Sequence, residues 1–441
     1  MKIQLIDPPC DWVGINWGCL TPSISLLSIM TYIRQKDPSV QVSMLDGGIL
    51  AEEKIKAAIE EDADIYGLRV NAYNYESSIR LTDFIKSINP KAKVVFGGQH
   101  ATALPNLILK NRPNVDAVIK FDGERAIYQL SQGYNMDRVN NLVYRKNGSV
   151  TANRIVYEDM NEIPYPDHSL IDLSPYFENS RKLGKERRGL ISSHKGCLWR
   201  EKKGGCLFCA QPDMGLRVRR ADIVWEEIDK LHDFGVEYIY HGVDSTLDDW
   251  KWFEEFHALR RDYNIKFDGY AEAFQINPKS VKMLKELNFQ AIFMGIESND
   301  AEMLKSINKA SKPFQNEQAV RLLRENGIMP RVGLVLGLPG ETEESLQKTL
   351  DFSRKHLEGT QITCSILNPL PPSPAYYHLL SIPEMHEKYG KWDYLKDNGQ
   401  IIRDWVKNFC KVDYERIMEV RNEILSLAQG TRSFFGPEMM D

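Results

Sequence analysis

The chain has 441 residues, of which 42% are hydrophobic and 27% are charged, and its formal net charge at pH 7 is −5. This length allows two or three domains with sizeable cores, and the small negative charge gives no general attraction to nucleic acid or membrane surfaces. No apolar run is long enough to cross a bilayer, and the first residues, MKIQLIDPPC, do not resemble a signal peptide. Seven cysteines, three of them clustered, argue against a disulfide framework. We therefore expect a cytoplasmic protein.

The first part of the chain alternates short apolar runs with amphipathic stretches, which predicts a doubly wound, Rossmann-like parallel sheet. The predicted strands are Ile3–Ile6, Val40–Leu45, Ile65–Val70, Val94–Gly97 and Ala117–Ile119. The predicted helices are Ile24–Gln35, Glu52–Glu60, Tyr75–Ile88 and Leu104–Lys110. Ligands of such sheets bind beyond the carboxyl ends of the strands, where this chain has DPPC (7–10), DGG (46–48), RVNAYN (69–74), GGQHAT (97–102) and FDGE (121–124).

Residues 131–186 form a bridge without a catalytic signal. The segment NLVYRKNGSVTANRIVYED predicts a hairpin with its turn at Asn147-Gly148, and the prolines of IPYPDHSLIDLSPYF discourage helix.

From Gly189 the alternation of strands and helices resumes. It predicts strands at Gly189–Ser193, Tyr238–Tyr240, Lys266–Tyr270, Ala291–Met294, Arg331–Leu336 and Gln361–Leu367. The predicted helices are Ile223–Phe234, Asp248–Arg261, Pro278–Leu287, Ser311–Asn326 and Glu343–His356. The remaining chain, 376–441, is predicted to be helical.

Three cysteines, Cys197, Cys206 and Cys209, lie on one glycine- and lysine-rich loop. Thiolates select zinc, copper(I) or iron–sulfur clusters, and three free cysteines could also be small buried hydrophobes. The charged surroundings argue against a packed core. Because no fourth ligand follows at zinc spacing, and His194 lies on the preceding strand, three ligands favour a [4Fe–4S] cluster with one open iron.

This loop resembles the cluster loop of the radical S-adenosylmethionine (SAM) enzymes. The resemblance implies that Cys197, Cys206 and Cys209 bind the cluster and that Phe208, before the last cysteine, lies against the adenine. The family usually has three residues between the first two cysteines, whereas this chain has eight, LWREKKGG. That departure puts the geometry of the loop in question more than cluster binding.

The later strand ends also resemble this family, whose partial (β/α)6 barrel carries its site at the carboxyl face. Gly242 and Asp244 stand where the methionine amino group is received, and Glu297, in Gly-Ile-Glu-Ser, would accept from ribose hydroxyls or form a structural ion pair. Arg331 would bind the methionine carboxylate or pair with Glu297. The further cofactor-binding candidates are Ser298 and Gly337, the latter beside the adenine.

The first sheet resembles the cobalamin-binding domain that precedes the radical domain in one branch of the family. Gly97 and Gly98 would let the backbone approach the corrin, although a tight turn alone would explain one glycine. The cobalt-ligating Asp-x-His-x-x-Gly of methyl carriers is replaced by DPPC, so we expect cobalamin without a histidine on cobalt. Arg69 and Asn71 could lie under the cobalt, or be capping or solvated residues. His100 is expected nearer the nucleotide tail.

These resemblances imply a cobalamin-binding domain at 1–130, a linker at 131–186, a radical SAM barrel at 187–375 and a helical region at 376–441. The cofactors implied are a [4Fe–4S] cluster, SAM and cobalamin. The function implied is methylation of an unactivated carbon through a 5′-deoxyadenosyl radical and methylcobalamin. The partners implied are a small-molecule or peptide substrate and an electron donor such as flavodoxin or ferredoxin. No catalytic side chain is assigned.

Several alternatives remain open at this point. A radical enzyme of the same branch could catalyse a rearrangement or cyclisation, or could have lost cobalamin. A tRNA-modifying enzyme is disfavoured by the net charge of −5. A zinc-binding interaction module is the alternative from a different class.

Overall fold

The computed structural model describes residues 1–10, 19–213, 215–393 and 398–428. The chain forms two compact units. The first contains Met1–Leu190 with two short pieces of later chain, Glu227–Val236 and Lys391–Tyr394, and the second contains the remainder. None of the described helices is both long and apolar enough to span a membrane.

The first unit is built on a seven-stranded sheet. Its strands are β1 (Lys2–Asp7), β2 (Gln41–Asp46), β3 (Ile65–Arg69), β4 (Lys93–Gly97), β5 (Ala117–Ile119), β6 (Leu142–Lys146) and β7 (Ser149–Ala152). Their spatial order is β2-β1-β3-β4-β5-β6-β7. The pairs among β1 to β5 are parallel, and β6 pairs antiparallel with β5 and β7. The predicted hairpin is therefore present, and it extends the parallel sheet.

Helices cover both faces of this sheet. They are α1 (Ile24–Lys36), α2 (Glu52–Ala57), α3 (Tyr75–Ile88), α4 (Gln99–Ala103), α5 (Pro105–Asn111), α6 (Glu124–Ser131) and α7 (Ser174–Lys182). Successive residues of a strand point to opposite faces, and Val94 and Phe96 belong to one buried cluster while Val95 belongs to another. The core thus has two layers, as a doubly wound sheet requires.

The second sheet has six strands in the spatial order β15-β14-β13-β12-β11-β8. Its strands are β8 (Arg188–Ile191), β11 (Tyr238–His241), β12 (Lys266–Tyr270), β13 (Phe289–Glu297), β14 (Met329–Leu336) and β15 (Gln361–Ile366), and β9 (His194–Lys195) pairs separately with β10 (Arg217–Val218). The pairs from β11 to β15 are parallel, and strands adjacent in sequence are adjacent in space. This arrangement confirms the predicted fold class.

Helices connect these strands and continue to the end of the described chain. The connecting helices are α8 (Leu198–Lys203), α9 (Ala221–Asp233), α10 (Trp250–Ala258), α11 (Pro278–Glu286), α12 (Ala301–Ser306), α13 (Pro313–Glu325) and α14 (Glu343–His356). The later helices are α15 (Pro374–Leu380), α16 (Pro383–Tyr389), α17 (Asn398–Phe409) and α18 (Tyr414–Ser426). The described part of the predicted helical region at 376–441 consists of these helices joined by short turns, and residues 394–397 and 429–441 lie outside the described residues.

Candidate functional site

The three clustered cysteines are free thiols on a loop of the second unit, and all three are partly buried. Cys197 directly precedes α8, which is formed by the first six of the eight residues that separate Cys197 from Cys206, an insertion relative to the usual three. The helix ends at Lys203, and Gly204 and Gly205 both have a φ of 80°. Two successive left-handed residues reverse the chain, which leads it directly into Cys206. Cys206 and Cys209 then belong to one turn, in which the Cys209 N–H donates to the Cys206 carbonyl at 3.2 Å.

Asn308, after α12, holds the loop in place. Its side-chain amide donates to the carbonyls of Lys203 at 2.9 Å and Gly205 at 2.7 Å. Its own carbonyl accepts from the indole N–H of Trp199 at 2.7 Å. The left-handed φ of 54° at Asn308 permits these contacts, because asparagine tolerates this conformation better than most residues. The insertion is therefore an ordered part of the site.

The electrostatic environment differs among the thiols. Burial raises the pKa of Cys206 to about 12, against the opposing effect of the Lys309 ammonium, and burial also raises the pKa of Cys197. Cys209 instead accepts a hydrogen bond from the Arg200 guanidinium, with 2.7 Å between Nη2 and Sγ. Metal coordination would release the thiol protons of Cys197 and Cys206, because the thiolate is the ligand.

A buried charge cluster lies beside the cysteine loop. The Lys309 ammonium is 2.9 Å from Glu272 Oε1 and 3.4 Å from Glu297 Oε1, and the Lys309 and Glu297 side chains are only 5% and 8% exposed. Burial raises the pKa of Glu297 more than Lys309 lowers it. Burial opposes the charge of Lys309, but its two carboxylate neighbours outweigh this effect and raise its pKa. The single ammonium of this charge cluster therefore cannot fully neutralise both carboxylates.

Glu297 itself is held in an unusual backbone conformation at the end of β13, with a φ of 62°. A Cβ built on Gly295 would lie 2.2 Å from Glu297 Oε1, so glycine is required for the Glu297 side chain to fold back over the strand. Ser298 next to it is buried, and its hydroxyl contacts Thr349 Oγ1 at 3.1 Å and accepts from the Asp300 N–H at 3.1 Å. The Ser298 side chain thus joins the start of α12 to α14.

Arg331 does not pair with Glu297, which was one of its two predicted roles. Its Nη1 lies 2.5 Å from Asp268 Oδ2, and Lys309 occupies the place beside Glu297. Strand register explains this pairing. Arg331 of β14 is paired with Phe293 of β13, and Asp268 of β12 is paired with Ala291 of the same strand. Both positions come several residues before β13 ends at Glu297. The predicted contact between Arg331 and the methionine carboxylate stays a prediction.

The remaining strand-end candidates are placed as follows. The Gly242 N–H donates to the Ile191 carbonyl at 2.9 Å. Asp244 is solvent-accessible yet flanked by protein, and the loss of hydration raises its pKa to about 6. Phe208 lies partly buried in the cysteine turn. The sequence predicted these positions, and their contacts with SAM stay predictions.

Gly337, after β14, has both backbone polar groups satisfied by the protein. Its N–H donates to Glu341 Oε2 at 2.7 Å, and its carbonyl accepts from the Trp405 indole at 2.8 Å. Its φ is 74°, and a Cβ there would lie 3.0 Å from a methyl carbon of Ile366. Packing and conformation therefore account for this glycine, and any contact with adenine would be through van der Waals surface.

In the first unit, the predicted ligand edge coincides with a change of strand order. Since β1 lies between β2 and β3, the carboxyl ends of β1 and β3 form a topological switch point. Asp7 ends β1 and Arg69 ends β3, and the Arg69 Nη1 atom is 2.9 Å from Asp7 Oδ2. Asn71 Oδ1 accepts from the N–H groups of Tyr73 at 2.8 Å and Asn74 at 3.0 Å. Asn71 is therefore a turn-forming residue, and the Arg69 guanidinium is paired but 40% exposed.

The two glycines at the end of β4 have different explanations. Gly98 has a φ of 91°, and a Cβ there would lie 2.6 Å from the Val70 carbonyl oxygen. The tight turn alone requires this glycine. A Cβ on Gly97 would meet nothing within 4 Å, so the backbone at Gly97 borders open space. Only Gly97 is left for the predicted approach of a ligand.

His100 is buried and engaged by the protein. Its Nε2 atom lies 2.5 Å from the Asp393 carbonyl oxygen, and its ring packs edge-on against Tyr75 with 4.8 Å between ring centres. The Asp393 carboxylate also accepts from the Tyr75 hydroxyl and from Arg112 Nε at 2.7 Å. Burial lowers the pKa of His100, so the ring is neutral near pH 7. Its predicted contact with the nucleotide tail stays a prediction.

Comparison with known families gives two matches, one in the part of the chain that holds each of these two sets of residues. Residues 12–131 match the B12 binding domain, and residues 191–353 match the radical SAM superfamily. The chain therefore contains a B12-binding domain and a radical SAM domain. A radical SAM domain binds a [4Fe–4S] cluster and SAM, and a B12-binding domain binds cobalamin. The resemblance inferred from the sequence is thus confirmed, as are the three cofactors.

Known relatives cover most of the chain. An uncharacterised methyltransferase of Pyrococcus horikoshii is 27% identical over 378 residues, which are 80% of this chain and 78% of the relative. The anaerobic magnesium-protoporphyrin IX monomethyl ester cyclase of Rubrivivax gelatinosus is 25% identical over 324 residues, 69% of this chain and 57% of the cyclase. The solved methyltransferase TsrM of Kitasatospora setae, with cobalamin and a [4Fe–4S] cluster bound, has the same fold, with a TM-score of 0.69 at 16% identity over 86% of this chain and 75% of TsrM.

The residues of the radical SAM domain fit its cofactors. Within the described residues, no three His, Cys, Asp or Glu side chains converge as ligands of a single metal ion. Three cysteines of a [4Fe–4S] cluster instead bind three different irons, which a loop with separated thiols can provide. Asn368 Oδ1 and Glu272 Oε2, after β15 and β12, are buried acceptors that have no protein partner. Such acceptors suit the amino and hydroxyl donors of SAM.

Several residues of this site were not predicted from the sequence. They are Arg200, Glu272, Asn308 and Lys309. In the sequence, each of them has the appearance of an ordinary polar surface residue. The one signal for Asn308 and Lys309 is that they follow Glu297, the carboxylate predicted at the strand end, by eleven and twelve residues.

Proposed function

We propose that this radical SAM protein methylates an unactivated carbon of a small-molecule or peptide substrate. When bound, the reduced cluster supplies the electron that cleaves SAM to a 5′-deoxyadenosyl radical, and cobalamin supplies the methyl group. The observation that carries the proposal is the presence, on one chain, of a three-thiol loop and a B12-binding domain in which the backbone at Gly97 borders open space. The similarity to a methyltransferase over 80% of the chain supports it.

The protein residues have distinct roles in this proposal. Cys197, Cys206 and Cys209 hold the cluster. Glu297, whose burial raises its pKa, accepts hydrogen bonds from the ribose hydroxyls, and the Asp244 carboxylate attracts the methionine amino group. The barrel excludes water from the reacting carbon and fixes its position, which is the protein's share of a radical reaction. The electron comes from a flavodoxin- or ferredoxin-like donor.

On the cobalamin side, neither Arg69 nor Asn71, among the described residues of the first unit, offers cobalt a nitrogen ligand at the switch point. A guanidinium has no lone pair to donate, and Asn71 Oδ1 already accepts two backbone N–H groups. His100 is turned to the Asp393 carbonyl. We therefore expect the paramagnetic resonance spectrum of bound cob(II)alamin to lack axial-nitrogen splitting. Nitrogen splitting that disappears in His100→Ala would identify His100 as the ligand and contradict this expectation.

The test of the cluster uses protein prepared and reconstituted without oxygen. We expect about four irons per chain and formation of 5′-deoxyadenosine from SAM with a chemical reductant. Cys197→Ala, Cys206→Ala and Cys209→Ala should each lose both properties, while Cys364→Ala, which removes a buried cysteine of β15, should keep them. Full activity of Cys197→Ala would show that another residue is the third ligand. A colourless protein that binds one zinc ion per chain would refute the proposed radical SAM enzyme function.

Rearrangement or cyclisation is the second candidate, favoured by the similarity to the cyclase. The two outcomes differ in the fate of SAM. A methyltransferase converts one SAM to S-adenosylhomocysteine for each methyl group delivered, whereas a cyclase needs no such conversion. Reduced, cobalamin-loaded protein incubated with SAM alone should therefore form S-adenosylhomocysteine in an amount matching its cobalamin. If 5′-deoxyadenosine is the sole product, the cyclase is the better assignment.

A further inference from the structure

The insertion between Cys197 and Cys206 places one arginine inside the site. Of the helix α8 residues, Glu201, Lys202 and Lys203 are exposed, whereas Arg200 is only 8% exposed. A long cationic side chain is rarely this buried without a specific partner. The three-residue spacing usual in the family has no room for a helix, so Arg200 belongs to the part of the loop that distinguishes this chain.

Three contacts fix the Arg200 side chain. Nη2 donates to Cys209 Sγ at 2.7 Å, and Nη1 donates to the Asp213 carbonyl at 3.0 Å. Gly205 lies against the stem, since a Cβ there would be 3.3 Å from the Cβ, Cγ and Nε atoms of Arg200. The guanidinium is thus held in one orientation, with one N–H directed at the sulfur of a proposed cluster ligand.

We propose that Arg200 is a positioning residue that raises the reduction potential of the cluster through its hydrogen bond to Cys209. The proposal rests on the cluster assignment made above. Reduction adds one electron, supplied by the flavodoxin- or ferredoxin-like donor, to a cluster bound by three thiolates, and it increases the negative charge on the sulfurs. A fixed cation that donates to one sulfur stabilises the reduced state more than the oxidised state. Arginine stays protonated throughout, so no proton moves with the electron.

The effect differs from that of the other cation near the loop. Lys309 is neutralised by Glu272 and Glu297, whereas the Arg200 guanidinium donates hydrogen bonds to a sulfur and to a neutral carbonyl. Against the larger effect of burial, the Arg200 charge also lowers the pKa of the nearby Asp244 carboxyl, so that carboxylate offsets part of it, but the guanidinium hydrogen bond is made to the sulfur itself. A merely structural role, bracing α8 against Asp213, would affect how much cluster is bound but leave its potential unchanged.

The test is a redox titration of the reconstituted holoprotein, followed by the paramagnetic resonance of the reduced cluster. Arg200→Met removes the charge and the donor, Arg200→Gln removes the charge and keeps a donor, and Arg200→Lys keeps the charge. Lys202→Met makes the same charge change two residues away, on an exposed side chain. At a fixed potential, we expect the ratio of reduced to oxidised cluster to fall about tenfold in Arg200→Met, which for one electron is a shift of about 59 mV. The shift should be smaller in Arg200→Lys and absent in Lys202→Met.

The outcomes separate this inference from the function on which it rests. If the wild-type protein binds no cluster, the proposed function fails. If the wild-type protein binds one and Arg200→Met has the potential of Lys202→Met, the inference alone is wrong. Should Arg200→Met retain no iron, Arg200→Gln decides in the same way. Loss of the cluster in all three Arg200 variants, with normal loading in Lys202→Met, would make Arg200 a brace and overturn the inference.

Discussion

Lys309 offers the most direct test of the electrostatics of this site. The variant Lys309→Met removes a buried ammonium from between two carboxylates but keeps most of the side-chain volume. Glu272 and Glu297 then face each other without a countercharge, and Glu297 has almost no access to water. Each carboxyl must either remain charged in a poorly hydrated place or bind a proton.

The size of the effect follows from the burial of the three side chains. Deleting one partner of a buried ion pair costs about 3–5 kcal/mol. Water still reaches the Glu272 side chain, which is 28% exposed, so we take the lower end of this range. The expected loss in free energy of unfolding is about 3 kcal/mol at pH 8. Without the ammonium, the pKa of Glu297 in the folded variant rises further above its unfolded value, and the folded variant binds protons more tightly. The loss should therefore shrink as the pH falls, to roughly 1 kcal/mol at pH 5.

The assay is urea unfolding followed by tryptophan fluorescence at pH 5 and pH 8, with a check that the m-value is unchanged. Lys305→Met is the matched control, because it removes an exposed lysine from the helix that precedes Lys309. Adding Glu297→Gln to Lys309→Met should recover part of the loss. Equal urea midpoints for Lys309→Met and Lys305→Met at pH 8 would refute this account of the buried charge cluster. A loss of unfolding free energy that does not shrink at pH 5 would also refute it.

Three further predictions concern other positions. Glu297→Ala should weaken SAM binding by one to two orders of magnitude in equilibrium dialysis, because charge-assisted hydrogen bonds are worth roughly 1.5–3 kcal/mol; unchanged affinity would assign the carboxylate to structure. Burial raises the pKa of Glu341 from 4.5 to about 7, so the folded wild-type protein loses stability as the pH rises through this window. In urea unfolding, the free energy of unfolding of Glu341→Gln relative to wild type should increase by at most about 3 kcal/mol between pH 4.5 and pH 7. Parallel pH profiles of the two proteins would contradict this. Gly97→Ala should fold normally but bind less cobalamin, as followed by its visible absorbance, whereas Gly98→Ala should destabilise the first unit; equal cobalamin content in Gly97→Ala and wild type would exclude a close approach there.

Long elements with a clear apolar period could be predicted from the sequence almost to the residue. The helices Tyr75–Ile88 and Glu343–His356 have the predicted bounds, and so does the short strand Ala117–Ile119. Other short elements were missed, among them α8 and the two-residue pair of β9 with β10. A six-residue helix has too few turns to show a period, and its stability comes from tertiary contacts such as those of Asn308.

The site residues divide in the same way. The cysteines were visible because three soft ligands on one loop have few other uses. Lys309 was not, because its burial depends on Glu272, 37 residues earlier in the chain, and on the chain reversal at Asn308. The ion pair of Arg331 with Asp268 spans 63 residues and a whole intervening strand, so it depends on strand register, which local patterns do not contain.

This chain departs from the patterns it resembles at two places, and an arginine side chain makes a specific contact at each of them. Where methyl carriers have Asp-x-His-x-x-Gly after the first strand, this chain has Asp7-Pro8-Pro9-Cys10, and Asp7 is paired with Arg69. Where the family has a short spacing between cysteines, this chain has a helix that directs Arg200 at Cys209. Neither arginine can ligate a metal, because a guanidinium has no lone pair to donate. The charge of Arg69 is offset by Asp7, whereas Arg200 donates directly to the sulfur of a proposed cluster ligand. Because a positive charge favours the more electron-rich state of a nearby cofactor, the departure at the cysteine loop acts in the direction of easier reduction.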